Sequence, residues 1–196
     1  IVLTTGSGTS PAGGRGGDFV IQTGSGRGGA GGNVTIVVGS GSGSESGGSI
    51  RMSAGRTNGT SQRGGSVEIE AGEGASAFGS DGGNVRIRGG ATVGDQGGSV
   101  ELKAGSSTGG VGRGGNVAIG SGAGALESGN VTITSGASAS GPSGNISIAA
   151  GKAGLNGAGG SVVLAGGASE GTQGGSVSIL AGAADSAGGF GGAVHI

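Results

Sequence analysis

The amino-acid sequence predicts an all-β chain. The expected fold is a single, narrow, glycine-rich parallel β-solenoid (β-helix) of about 13 short coils without helices, with residues 1–196 forming one repeat domain excerpted from a longer solenoid array. Three observations carry this expectation. Glycine fills 59 of 196 positions while aromatic residues make up 2% and Trp and Tyr are absent, so the side chains of an ordinary globular core are missing. A pair of apolar residues two apart recurs along the whole chain. A glycine follows that pair at a fixed distance.

The repeating unit is Gly-Gly-(Asn/Ser)-Val-x-Ile, as in GGNVTIVVG from Gly31, GGSVEIEAG from Gly64, GGNVRIRGG from Gly82 and GGSVSILAG from Gly174. Its first apolar slot holds Ile1, Phe19, Val34, Ile50, Val67, Val85, Val100, Val117, Val131, Ile146, Val162, Val177 and Val194. The second holds Leu3, Ile21, Ile36, Met52, Ile69, Ile87, Leu102, Ile119, Ile133, Ile148, Leu164, Ile179 and Ile196. A spacing of two places both side chains on one face of a strand. The expectation is therefore 26 apolar residues pointing into the coil. Units are 14 to 18 residues long, and the variable part reads as the connection. Stacked units would place strands roughly 4.8 Å apart, giving a rod on the order of 60 Å long.

Five residues after the first slot stands a glycine in each complete unit, from Gly6 to Gly182, which predicts a turn with positive φ or a close backbone approach. Short polar residues such as Asp18, Asn33, Ser49 and Asn84 precede the first slot and are expected to hydrogen-bond locally. The rest of each unit is Gly, Ser, Ala and Thr with an occasional Phe78, Val93, Val111, Leu126, Leu155 or Phe190, read as a return wall against the Val/Ile sheet. A single-layer sheet covered by another chain is the structural alternative, because two apolar residues per coil make a thin core. Between the slots, Arg51, Glu68, Arg86 and Glu101 alternate in sign from unit to unit, with Glu70, Arg88 and Lys103 beside them. This pattern predicts a cross-strand charge ladder on the outer face.

Other classes fare worse. Collagen is excluded by two prolines, Pro11 and Pro142, and no glycine triplet. A net charge of −1 and three Phe as the only aromatics give no basis for binding nucleic acid, and no apolar run is long enough for a membrane span. The string Gly24-Ser25-Gly26-Arg27-Gly28-Gly29 matches a phosphate-loop pattern, but a strand rather than a helix is expected after it. Glu68 and Glu70 lie two apart like paired carboxylates, with Arg86 and Arg88 one unit later to hold them ionised. Asp18, Asp81, Asp95 and Asp185 share no phase for calcium, and a single His195 without cysteine does not make a zinc site. Thr132 and Thr134 form one Thr-x-Thr rung rather than an ice-binding array. No catalytic, cofactor or metal residues are assigned, and the chain is not expected to be an enzyme. The letters permit N-glycosylation at Asn33, Asn58, Asn130 and Asn145, with Asn58 the most accessible because it stands in a loop.

The unit GGSVEIEAG with its Gly/Ser/Ala connector resembles the repeats of secreted β-solenoid surface fibres, including glycine-rich appendage or matrix proteins of algae and protists and, more distantly, filamentous-haemagglutinin-type adhesin shafts. The resemblance implies an extracellular or cell-surface location and a structural, non-catalytic role in a fibre, appendage or matrix. Polysaccharide binding as an adhesin shaft is the alternative. The expected partners are other copies or further coils stacked into a filament, together with glycans, because the first strand, Ile1 to Thr5, carries no blocking charge and the last has only His195 as a polar guard.

Overall fold

The computed structural model describes residues 1–10, 12–76, 79–109, 112–185 and 189–196. Pro11, Phe78 and Val111 lie outside the described residues. Among the described residues there is neither helix nor strand. The 13-coil parallel β-solenoid is therefore not formed, and with it go the return wall, the rigid rod and the resemblance to solenoid fibres.

The physical reason lies in the unit itself. Full burial of two medium apolar side chains contributes about 1.5–3 kcal/mol each. Each such pair is accompanied by a unit of 14–18 residues whose backbone must be ordered with it. Glycine, the residue with most conformational freedom to lose, dominates those positions. A periodic pattern of apolar residues is thus present without enough apolar area to fix it as a sheet.

No described residue is buried, and only Thr57, Gly74 and Ala153 are partly shielded. The accessible surface is 18894 Å². A compact chain of this mass would expose about 8,000 Å² and a fully extended one about 25,000 Å². All 26 slot residues, expected to point inward, are exposed. Their exposure is graded, however: Val85 is 50% and Ile87 65% exposed, whereas Val93, Leu126 and Leu155, away from the slots, are 99% or more.

The chain divides into two contact-defined units, Ile1–Val100 and Glu101–Ile196. Each is organised by the same device, a loop closed at its base by one backbone hydrogen bond. In the first unit Gly17, Gly32, Gly48, Gly65, Gly83 and Gly98 donate N–H to the carbonyls of Gly6, Gly24, Gly39, Gly55, Gly72 and Gly90. In the second, Gly115, Gly129, Gly144, Gly160, Gly175 and Gly192 donate to Gly105, Gly122, Gly136, Gly151, Gly167 and Gly182. The N···O distances run from 2.8 to 3.3 Å, ordinary for this bond.

The loops differ in span, with seven residues separating Gly122 from Gly129 and eleven separating Gly6 from Gly17. From each donor glycine to the next acceptor glycine the step is always seven residues. The whole length variation of the repeat is therefore taken up inside the loops. Loop-closure entropy explains why that is tolerated: going from seven to eleven residues costs only about 0.4 kcal/mol.

The outer charge ladder is also absent. The ion pairs among the described residues are Arg15–Asp18, at 3.0 Å, and Lys103–Glu101, both between near neighbours in sequence. Arg51, Glu68, Arg86 and Glu101 do not pair from unit to unit, because no ladder holds adjacent segments in register.

Candidate functional site: the glycine-closed loops

Each closure has two glycines with different surroundings. The acceptor glycines, from Gly6 to Gly182, have open space where a Cβ would stand, and none has positive φ. Of the two features expected at this place, positive φ is absent, whereas a close backbone approach is present as the closing bond to the donor glycine. The donor glycines carry the crowding instead. A Cβ on Gly98 would lie 2.8 Å from the Gly90 nitrogen, and one on Gly65 would lie 3.2 Å from the Gly55 nitrogen and 3.3 Å from Ala54 Cβ. The same close approach recurs at Gly17 against Thr5, Gly83 against Ala71, Gly129 against Ser121 and Gly160 against Ala150.

The donor side of the neck is thus tight at most closures, although at Gly115 and Gly192 a Cβ would meet only ordinary contacts at 3.5 and 3.6 Å, and a small residue usually precedes the acceptor. Thr, Ala, Ser or Gly fills that place in every closure except at Val38. At one neck a side chain adds a bond: Thr23 Oγ1 donates to the Gly32 carbonyl at 3.1 Å. The short polar residues after the donor glycines, expected to bond locally, remain open to solvent. Among them Asp18 alone uses its side chain, accepting from Arg15 Nη2 at 3.0 and 3.3 Å.

The loop tips turn in two ways. Among the described residues, left-handed backbone occurs at Gly13, Gly28, Gly43, Ser61 and Gly79 in the first unit and at Asn156 in the second, each in a different loop. In three further loops a hydroxyl stands in for the left-handed residue. Thr92 Oγ1 accepts from Gly94 N–H at 3.1 Å, Ser138 Oγ from Gly141 N–H at 2.9 Å, and Ser169 Oγ from Gly171 and Thr172 N–H at 3.2 and 3.3 Å. These are side-chain mimics of a backbone turn. The phosphate-loop string at Gly24 is one of the left-handed tips, with Gly28 at φ 79°.

The four glycan acceptors fall into two settings. Asn33, Asn130 and Asn145 directly follow the donor glycines Gly32, Gly129 and Gly144, at the exit of a neck. Asn58 stands inside the loop closed by Gly55 and Gly65, between Thr57, whose Oγ1 accepts from Gly59 N–H at 3.2 Å, and the left-handed Ser61. All four are exposed, and each belongs to a different loop or neck. Glu68 and Glu70 lie on an open segment, and His195 is exposed near the end of the second unit. No group of His, Cys, Asp and Glu able to hold a metal occurs among the described residues, and no helix there is long and apolar enough to cross a membrane.

The residue that matters most at the neck, the donor glycine, was legible in the repeat. The first glycine of the doublet gives way to Ser128 and Ser143, while the second is glycine in all twelve closures. No family model, no curated protein and no solved structure matches the chain.

Proposed function

We propose that this chain is a non-catalytic, extracellular or cell-surface protein that presents short hydrated loops at regular intervals, with N-linked glycans as their modification. The fibre, rod and self-stacking roles fall with the solenoid, since they need a strand ladder and none forms among the described residues. The observation that carries the present reading is the twelvefold recurrence of one glycine closure with a constant seven-residue step between loops of unequal length. Such spacing holds the bases of the loops to one pattern and leaves their contents free.

The loop contents agree with presentation. They are mostly Gly, Ser, Thr and Ala with scattered charges in solvent and an isolated exposed apolar residue such as Leu126 or Leu155, a composition too poor in apolar side chains to pack. The carboxylates and the single histidine stand exposed, in water that screens them, whereas acid–base catalysis relies on groups held together in a shielded site. Among the acceptors, Asn58 is favoured, because its triplet Asn58-Gly59-Thr60 sits wholly inside a loop. The test is secretion of the chain from a glycosylating cell followed by peptide mass analysis. Glycan on Asn58, in excess of that on Asn33, Asn130 and Asn145, is the expected result. An unmodified chain, or a native protein found inside the cell, would overturn the reading.

A further inference from the structure

We propose that Asn58-Gly59 is a site of spontaneous succinimide formation and that the Thr57 hydroxyl gates it. The chemistry needs no co-reactant but water. The Gly59 nitrogen attacks the Asn58 side-chain carbonyl carbon, a new C–N bond closes a five-membered ring, and the Cγ–Nδ2 bond breaks. Ammonia leaves with the proton given up by Gly59. Water then opens the ring on either side, returning aspartate or the β-linked isoaspartate.

Two features of the chain select this place, and a third restrains it. Asn58 is exposed in a loop tip, so its side chain reaches the attacking position without displacing a packed neighbour. Gly59 has no Cβ to crowd its nitrogen, unlike the β-branched Val34, Val117 and Val131 that follow Asn33, Asn116 and Asn130. The attacking nitrogen is also occupied: its N–H donates to Thr57 Oγ1 at 3.2 Å, and Thr57 is one of the few partly shielded residues of the chain. Attack requires that bond to open. The other Asn-Gly pair, Asn156-Gly157, has its glycine N–H on the Gly154 carbonyl at 3.3 Å and owes nothing to Thr57. It is therefore an internal control.

The full 196-residue chain, produced in cells that attach no glycans, is incubated in mildly alkaline buffer, and acid conversion at each asparagine is followed by peptide mass and by isoaspartate-specific methylation. Conversion at Asn58 is expected to outrun that at Asn33, Asn116 and Asn130. Thr57→Ala should raise the Asn58 rate about two- to tenfold, the factor that one exposed hydrogen bond supplies. The Asn156 rate should stay unchanged, and Thr57→Ser should restore the slower rate. Conversion at Asn58 no faster than at Asn116 would overturn the site, and equal rates in Thr57→Ala and the parent would overturn the gate. Because glycans are withheld, these outcomes stand apart from whether Asn58 is an acceptor in a secreting cell.

Discussion

The seven-residue segments and the loops between them keep different things constant. In the segments, length and side-chain pattern are fixed: a donor glycine, a short polar residue, two apolar slots and an acceptor glycine recur without insertion. In the loops, only the closing bond is fixed, while span and content vary. Their apolar residues differ in the same sense, with Val85 and Val131 half exposed in the segments and Leu126 and Leu155 fully exposed in the loops. The difference teaches that periodic apolar residues do not by themselves make a sheet. What recurs in this backbone is a local bond between glycines, and the apolar pattern rides on it.

The sharpest way to break that comparison is at the two glycines of one neck. Gly98→Ala should open the loop closed by Gly90 and Gly98, because the added methyl carbon would stand 2.8 Å from the Gly90 nitrogen. Gly90→Ala meets open space and should keep the loop closed, with a gain of about 0.4–1 kcal/mol from a less flexible open state. The amide temperature coefficient of residue 98 reads both outcomes. Equal effects of the two substitutions would remove the asymmetry of the neck.

A smaller effect is expected at the tips. Ser169→Ala removes the acceptor for both Gly171 and Thr172 N–H. These amides should lose shielding by an amount corresponding to about 0.5–1.5 kcal/mol, while the base of the loop, held by Gly167 and Gly175, stays closed. The amide resonances of 171, 172 and 175 separate the two parts of the loop. The smallest effect belongs to loop length. Inserting two glycines between Gly122 and Gly129 lengthens the shortest loop to nine residues and should cost only about 0.2 kcal/mol. A large loss of closure at Gly129 would mean that loop length, too, is constrained.

Much of this organisation was written in the sequence, though not the sheet it suggested. The slots at Val34 and Ile36, Val85 and Ile87, and their equivalents mark the repeat, and the variable stretches after Gly39 or Gly105 mark the loops. Alternation of apolar and polar residues shows which side chains would share a face. It does not show whether enough area is buried to hold that face, and here the residues remain exposed. The acceptor glycines recur at a fixed distance from Val34 or Val85, yet a recurring letter does not disclose φ. The donor glycines were the better signal, since Ser128 and Ser143 show that the neighbouring place accepts a side chain. The hydroxyl turns at Thr92, Ser138 and Ser169 were hidden because Ser and Thr are abundant throughout the loops.

The central claim is that the ordered hydrogen bonds of this chain close loops and do not join the apolar segments. Residue-resolved amide hydrogen exchange on the whole chain tests it most directly. The amides of Val34, Ile36, Val85, Ile87, Val131 and Ile133 are predicted to exchange at the rates of an open chain. Gly32, Gly83 and Gly129, which donate the closing bonds, are predicted to exchange measurably more slowly. Slow exchange at the Val and Ile amides, with the glycines no slower than they are, would contradict the account and restore a strand ladder between the segments.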